Sequence, residues 1–242
     1  MGPSLSKRLI TLFQLYFARP TKPCFHHPAV WRSCIGIILP KPNKTNKSDP
    51  KSYRIISLLN CLGKVLEKLY ATRLNYLANT TELLHGSQLG GRKQRSAIDA
   101  ALLLTQYIEE QRQPGKVANN TITTTIFLHI KGGFDYVTKE KLIVSERLCL
   151  PRPLISWVRT FLTNRSVQLA FSGQIQQQPT SLTIGTPQGS LISPILFLIY
   201  IRDIVAEKGF QLSYIDNYSI SVSSTSARKN CKVLEKTVDS LK

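Results

Sequence analysis

Hydrophobic residues recur along this chain with two periods, and together they predict a mixture of strands and helices. The apolar run at 34–39, ended by Pro40, predicts a buried strand, and the β-branched run at 122–130 predicts a second. Two further stretches, 167–184 and 211–223, predict antiparallel hairpins. Apolar residues three or four positions apart predict helices at 5–17, 57–78, 96–112, 138–148, 151–163, 193–207 and 226–242. Strands separated by helices, with antiparallel hairpins among them, predict an α+β fold.

The longest predicted helix begins at Ser57, whose hydroxyl suits an N-cap, and ends near Ala78. Its predicted buried face is aliphatic and consists of Leu58, Leu62, Val65, Leu66, Leu69 and Leu74. A glycine-rich, basic turn follows at 86–95.

The charge balance indicates a polyanionic partner. The 242 residues include 32 Lys and Arg against 14 Asp and Glu, a formal net charge of +18. Residues 1–60 carry ten basic side chains and the single acid Asp49. Binding of nucleic-acid phosphates with release of counterions is the natural use of such a surface, and solubility or an anionic membrane is the alternative. The hydrophobic fraction of 42% is typical of a folded protein.

Five widely spread cysteines predict no disulfide framework and favour a reducing compartment. Cys24, His26, His27 and Cys34 do not have the spacing of a zinc finger. The chain lacks an apolar run of the roughly 18 residues that a membrane span needs. We therefore expect an intracellular protein of the nucleus or cytoplasm that binds no membrane.

Four short motifs occur in order along the chain. They are Ile-Leu-Pro-Lys-Pro-Asn-Lys at 38–44 with its continuation at 49–59, Gly-Gly-Arg-Lys-Gln-Arg-Ser-Ala at 90–97, Phe-Leu-His-Ile-Lys-Gly-Gly-Phe-Asp at 127–135, and Gly-Thr-Pro-Gln-Gly-Ser at 185–190 with Tyr-Ile-Asp-Asn at 214–217. In this order and at these separations the chain resembles the reverse transcriptase domain of a non-LTR, LINE-type retrotransposon, from about residue 29 onward. The second motif is most similar to fungal elements. Group II intron maturases are a rival family. The residue sequences at 91–97 and 131–135 favour the retrotransposon family over the maturases.

The resemblance implies the fingers and palm of a right-hand polymerase. We expect an N-terminal helix and linker at 1–28, fingers at 29–120 with early palm elements, and a palm at 121–242. The palm is expected to be a ferredoxin-like antiparallel sheet backed by helices. The resemblance also predicts a C-terminally truncated copy that ends before the thumb.

The resemblance implies RNA-directed DNA polymerase activity, which requires two divalent cations about 3.5–4 Å apart. Mg²⁺ prefers carboxylate oxygens, and the family supplies three aspartates at the strand ends. Here those positions are His129, Asp216 and Asn217, so only Asp216 remains as a metal ligand and catalytic residue. Asp135 matches a family aspartate that is not a ligand. Because imidazole and a neutral amide are poor Mg²⁺ ligands, we expect a degenerate, catalytically impaired copy.

The resemblance also implies nucleotide-binding residues. Arg54 matches an arginine that contacts the triphosphate, and Phe134 matches the bulky residue that blocks a ribose 2′-hydroxyl. Gln188 and Gly189 match the turn beside the incoming nucleotide. The implied template contacts are Lys41, Lys44, Arg92, Lys93 and Arg95. The implied partners are an RNA template, a DNA primer and deoxynucleoside triphosphates, while oligomeric state is not indicated.

Three departures from the family pattern lie near these motifs. Ile55 and Leu191 replace prolines, and Gly133 replaces the usual alanine. The alternatives to a polymerase are a non-catalytic nucleic-acid-binding remnant of a retrotransposon, or a relic without a selected function.

Overall fold

The computed structural model describes residues 7–8, 10–11, 26–81, 83–113, 121–143, 150–204 and 209–241. The chain divides into two compact units, each made of two segments: a first unit of 1–67 and 138–190, and a second unit of 68–137 and 191–242. Most of the predicted N-terminal region 1–28, including most of its predicted helix at 5–17, lies outside the described residues. The end of the predicted helix at 138–148 also lies outside them.

The first unit contains a five-stranded mixed sheet. Its strands are β1 (Ser33–Pro40), β2 (Tyr53–Leu58), β4 (Arg165–Phe171), β5 (Gln174–Ile175) and β6 (Thr180–Leu182). The order is β2-β1-β4-β5, with β6 also paired to β4. Strands β1 and β4 run parallel, and the other pairs are antiparallel. The predicted hairpin turns at Ser172 and Gly173, which both adopt positive φ values as a tight hairpin turn requires.

Among the described residues, the α-helices that lie wholly in the first unit are α3 (Lys139–Ile143) and α4 (Arg152–Leu162). Pro151 precedes α4, and Pro153 lies in its first turn, where a missing N–H costs nothing. One face of α4 is fully buried and includes Trp157, Phe161 and Leu162. This amphipathic helix and the apolar side chains of β1 and β4 supply most of the unit's core.

The second unit contains a three-stranded antiparallel sheet of order β3-β8-β7. The strands are β3 (Ile122–His129), β7 (Phe210–Tyr214) and β8 (Asn217–Ser224). Helix α6 (Ala227–Ser240) covers one face, where Leu234 packs with Tyr218 and Ile220. On α2 (Ala97–Arg112), Tyr107 stacks on Phe210 of β7 with ring centroids 4.3 Å apart. Helix α5 (Ser193–Ile201) is buried on nearly all sides. The antiparallel sheet backed by helices confirms the predicted α+β class.

The prediction of a helix starting at Ser57 was wrong. Residues Tyr53–Leu58 form β2, and helix α1 is Cys61–Thr80. Asn60 caps the helix, since its side-chain oxygen accepts hydrogen bonds from the backbone N–H groups of Leu62 and Gly63.

The predicted buried face of this helix was also partly wrong. Leu66 and Leu74 are completely buried, but Leu58, Leu62, Val65 and Leu69 are 36–48% exposed. The buried stripe continues instead through Tyr70, Ala71 and Ala78. No helix among the described residues is both long and apolar enough to cross a membrane.

Candidate active site

The structure brings His129, Asp216 and Asn217 together at one end of the second unit's sheet. His129 ends β3 and lies directly opposite Asn217, the first residue of β8. Asp216 lies in the two-residue connection between β7 and β8. The antiparallel register therefore places all three predicted metal positions at the same strand ends. We call these three residues the strand-end cluster.

The side chains of the strand-end cluster interact with one another. Nδ1 of His129 lies 3.8 Å from Oδ2 of Asp216. The Asn217 amide donates a hydrogen bond of 3.2 Å to Oδ1 of Asp216. The backbone N–H of Ile130 donates to the Asp216 carbonyl at 2.8 Å, which fixes the main chain between β3 and the turn. His129 is 60% exposed and Asp216 is 36% exposed, so both side chains are open to a ligand.

The turn that carries Asp216 has an unusual backbone. Ile215 adopts a φ of +58°, which is rare for a β-branched residue and stores strain. Residues 87–90 lie against this turn: Leu89 N–H donates to Ser213 C=O at 2.8 Å, and Ser213 N–H donates to Ser87 C=O at 2.9 Å. A Cβ on Gly90 would lie only 2.4 Å from the Ile215 nitrogen, so only glycine fits there.

The strand-end cluster does not provide the ligands that two Mg²⁺ ions need. It offers one carboxylate, one imidazole and one neutral amide, and hard cations require several oxygen ligands with negative charge. Within the described part of the chain, no three His, Cys, Asp or Glu side chains come together as a metal-binding group. Asp135 belongs to the turn after β3, where its backbone N–H donates to Gly132 C=O at 2.8 Å.

Phe134 also belongs to the second unit, and its ring rests on a buried partner. Its ring centroid lies 5.0 Å from that of Phe197, at an interplanar angle of 30°. Phe197 is completely buried in α5. A Cβ on Gly133 would lie 2.5 Å from the Phe197 ring, so glycine at this position leaves room for the Phe197 ring.

The other predicted nucleotide-binding residues lie in the first unit. Arg54 is an exposed residue of β2, and Gln188 and Gly189 belong to loop 185–190. The N–H of Ser57, also on β2, donates to the Gln188 carbonyl at 2.7 Å. Gly189 has a φ of +108°, and a Cβ there would lie 2.9 Å from the Ser57 carbonyl oxygen. Glycine therefore allows the loop to lie against the strand that carries Arg54.

The predicted template contacts fall into two environments. Lys41 and Lys44 are exposed in the first unit, and Lys93 and Arg95 are exposed in the second. Arg92 is half-buried, and its guanidinium donates to the carbonyls of Leu84 and His85 at 2.9 and 3.2 Å. Burial, and secondarily Arg95, lowers the pKa of Arg92. The bonds of Arg92 hold the backbone before the glycine-rich turn.

Two buried polar residues were not identified from the sequence, one beside the Asp216 turn and one at the end of loop 185–190. Gln88 hydrogen-bonds through its side chain to the Gly90 carbonyl and to the Ser213 hydroxyl, beside the Asp216 turn. Glu67 accepts a hydrogen bond from Ser190 at the end of loop 185–190. Glu67 could have been noticed as an acid inside an apolar helix stripe, whereas nothing in the sequence distinguishes Gln88 from an exposed glutamine.

Residues 39–242 match the family model described as reverse transcriptase (RNA-dependent DNA polymerase). This chain belongs to the reverse transcriptase family. Members of this family generally use a divalent metal ion.

Similar proteins include retrotransposon polymerases of insects. The chain is 25% identical over 223 residues to the probable RNA-directed DNA polymerase from transposon BS of Drosophila melanogaster, covering 88% of this chain and 24% of that protein. It is 28% identical over 178 residues to the polymerase from mobile element jockey of the same species, covering 74% and 19%. It is 23% identical over 173 residues to the Pol polyprotein of retrotransposable element R2 of Popillia japonica, covering 71% and 23%. The reverse transcriptase chain thus spans a quarter or less of these relatives.

The fold is similar to that of solved telomerase structures. The apo telomerase of Candida tropicalis, truncated from its C-terminal domain, superposes with a TM-score of 0.57 at 12% identity, covering 98% of this chain and 51% of that one. The telomerase of the same species with a telomeric RNA fragment gives 0.55 at 14% identity, covering 96% and 41%. These similarities show the right-hand polymerase fold.

Proposed function

We propose that this chain is the template- and nucleotide-binding part of an RNA-directed DNA polymerase whose nucleotidyl transfer is impaired. The observation that supports the proposal is the strand-end cluster. His129, Asp216 and Asn217 meet at paired strand ends, as a metal site requires, but two of the three side chains are not carboxylates. The scaffold of the site is therefore retained while its ligands have changed.

A bound pair of Mg²⁺ ions would supply activation of the primer 3′-hydroxyl and neutralisation of the triphosphate charge, and would require several carboxylate ligands. In this chain, Asp216 supplies one negative charge where three are needed. Its two side-chain oxygens already face the His129 imidazole and the Asn217 amide. Neither neighbour offsets the charge of a hard cation, so these residues do not fit the pair of ions.

The binding residues are retained better than the metal ligands. We assign triphosphate contact to Arg54, ribose selection to Phe134, and contact with the nucleotide to Gln188 and Gly189. The exposed Lys41, Lys44, Lys93 and Arg95 are assigned to the phosphate backbone of an RNA template paired with a DNA primer. The net charge of +18 supports this assignment.

Primer extension tests the proposal. Wild-type protein and the variant His129→Asp/Asn217→Asp are compared on an RNA template with a DNA primer and Mg²⁺. We expect the restored variant to extend the primer at least about a hundredfold faster, because metal ligands contribute several kcal/mol to the transition state. Adding Asp216→Asn to the restored variant should abolish extension again. Rapid extension by wild type, or no gain in the restored variant, would contradict the assignment of the block to these two side chains.

A further inference from the structure

A buried charged group lies beneath loop 185–190 in the first unit. Glu67 on α1 is 1% exposed, and Arg165 on β4 is 2% exposed. Burial lowers the pKa of Arg165, and the Cys34 and Glu67 side chains partly oppose this shift. Two buried nitrogens of Arg165, Nε and Nη2, make no hydrogen bond to any residue that the structure describes.

Glu67 also holds the end of the loop. The Ser190 hydroxyl donates to Oε2 of Glu67 at 2.6 Å, and Ser190 is itself only 6% exposed. A short hydrogen bond to a buried carboxylate is among the stronger ones in proteins. At its middle, the same loop accepts the Ser57 N–H through the Gln188 carbonyl. The loop is therefore fixed at two points, one on β2 and one on α1.

A carboxylate at position 67 is expensive to bury, and hydrophobic residues would fill a helix face at lower cost. Arg165 is a second ionisable residue buried in the same unit. Its guanidinium donates to the Phe161 carbonyl at 3.0 Å and lies 4.8 Å from the centroid of the Phe161 ring. Aliphatic residues at positions 67 and 165 would give a comparable core but no acceptor for Ser190. The feature that distinguishes Glu67 from an aliphatic residue is thus its hydrogen bond to the loop.

We propose that Glu67 is a positioning residue for nucleotide binding: through Ser190 it holds loop 185–190, and with it Gln188 and Gly189, against the strand that carries Arg54. This inference rests on the proposed function, because the loop's contact with a nucleotide belongs to that proposal. The hold of Glu67 on the loop, however, can be measured without a nucleotide.

Native-state hydrogen exchange on the full chain tests the hold directly. The reporters are the amides of Ser57 and Ser190, and the reference is the amide ladder between β1 and β4. In Ser190→Ala, which leaves Glu67 and Arg165 in place, we expect the Ser57 amide to exchange roughly tenfold faster or more while the ladder is unchanged. Equal acceleration of exchange at the ladder amides and at the Ser57 amide would show that Ser190 has only a general structural role. An unchanged exchange rate at Ser57 would show that Glu67 does not fix the loop. Either result would overturn the proposal.

A matched pair of variants separates the hydrogen bond from the charge. Glu67→Gln/Arg165→Met keeps an acceptor oxygen for Ser190 without a buried charge, and Glu67→Met/Arg165→Met removes the acceptor as well. We expect slow exchange of the Ser57 and Ser190 amides in the first variant and fast exchange in the second. Equal exchange in the two would overturn the role of the hydrogen bond.

Binding of a complementary deoxynucleoside triphosphate to the protein on an RNA template with a DNA primer supplies the functional readout. We expect Ser190→Ala to weaken nucleotide affinity by roughly tenfold while affinity for the template–primer stays the same. Unchanged nucleotide affinity despite fast loop exchange would overturn the positioning role. Failure of the wild-type protein to bind any nucleotide would instead contradict the proposed function, and the exchange measurement would still decide whether Glu67 holds the loop.

Discussion

His27 shows how strongly a single residue's environment can differ from water. It is completely buried in the first unit, and its ring makes edge-on contacts with Trp31, Trp157 and Phe161 at centroid distances of 5.9, 5.5 and 5.2 Å. Burial, followed by the nearby Arg165, lowers the pKa of His27 from 6.5 to about 4. In the sequence the same residue belonged to a Cys-His cluster without zinc-finger spacing. Its role in the fold is that of a neutral core residue.

The lowered pKa of His27 predicts acid sensitivity. Between pH 6.5 and about 4 the unfolded chain binds a proton at this residue and the folded chain does not, so stability falls as pH decreases through that range. We expect His27 to account for roughly 1–2 kcal/mol of the stability lost between pH 7.5 and 5, measured by urea unfolding. His27→Phe should remove this part of the pH dependence, and the control His26→Gln should keep it. Equal pH dependence in wild type and His27→Phe would contradict the assignment.

At the scale of elements, local patterns located most strands and helices but not every boundary. The hairpin of β7 and β8 and the helix α2, whose Ser96 and Asp99 form a capping box, were confirmed. Ser57 was assigned to a helix because its neighbours have helical spacing. It lies in a strand because it pairs with Gly36 on β1 and donates to Gln188 in the loop, and both partners are distant along the chain. Such partners leave no periodic signal in the sequence.

The contact between residues 87–90 and the Asp216 turn predicts a position-specific effect. Gly90→Ala would place a methyl group 2.4 Å from the Ile215 nitrogen and 2.8 Å from the Tyr214 carbonyl carbon, so the backbone must move. We expect a loss of about 1–3 kcal/mol in urea unfolding and faster exchange of the Leu89 amide. Gly86→Ala is the matched control, since a Cβ there meets no atom within 4 Å. Similar stability of the two variants would show that the turn is not held in this way.

At the scale of the whole molecule, the motifs were sufficient to predict the family and the fold class, because each motif is a local run of residues. They were also sufficient to place His129, Asp216 and Asn217 at one strand end. Which segments of the chain combine to form each unit was harder to predict. The parallel pairing of Ser33 with Ser166 joins residues far apart in sequence, and each unit combines two separate segments. The boundaries at 29–120 and 121–242 remain predictions.

The net charge of +18 raises the question of whether nucleic acid would bind anywhere on the surface or at particular side chains. We expect binding of an RNA–DNA hybrid to weaken with salt, and Lys41→Gln/Lys44→Gln to reduce the slope of log K against log salt by about one for each phosphate that the variant no longer binds. Arg228→Gln/Lys232→Gln on α6 is the matched control, because both residues are exposed and the change in charge is the same. If only net charge mattered, both double variants would change the slope equally, which would contradict the assigned template contacts. A larger effect of the Lys41 and Lys44 variant would locate the nucleic acid at the connection between β1 and β2.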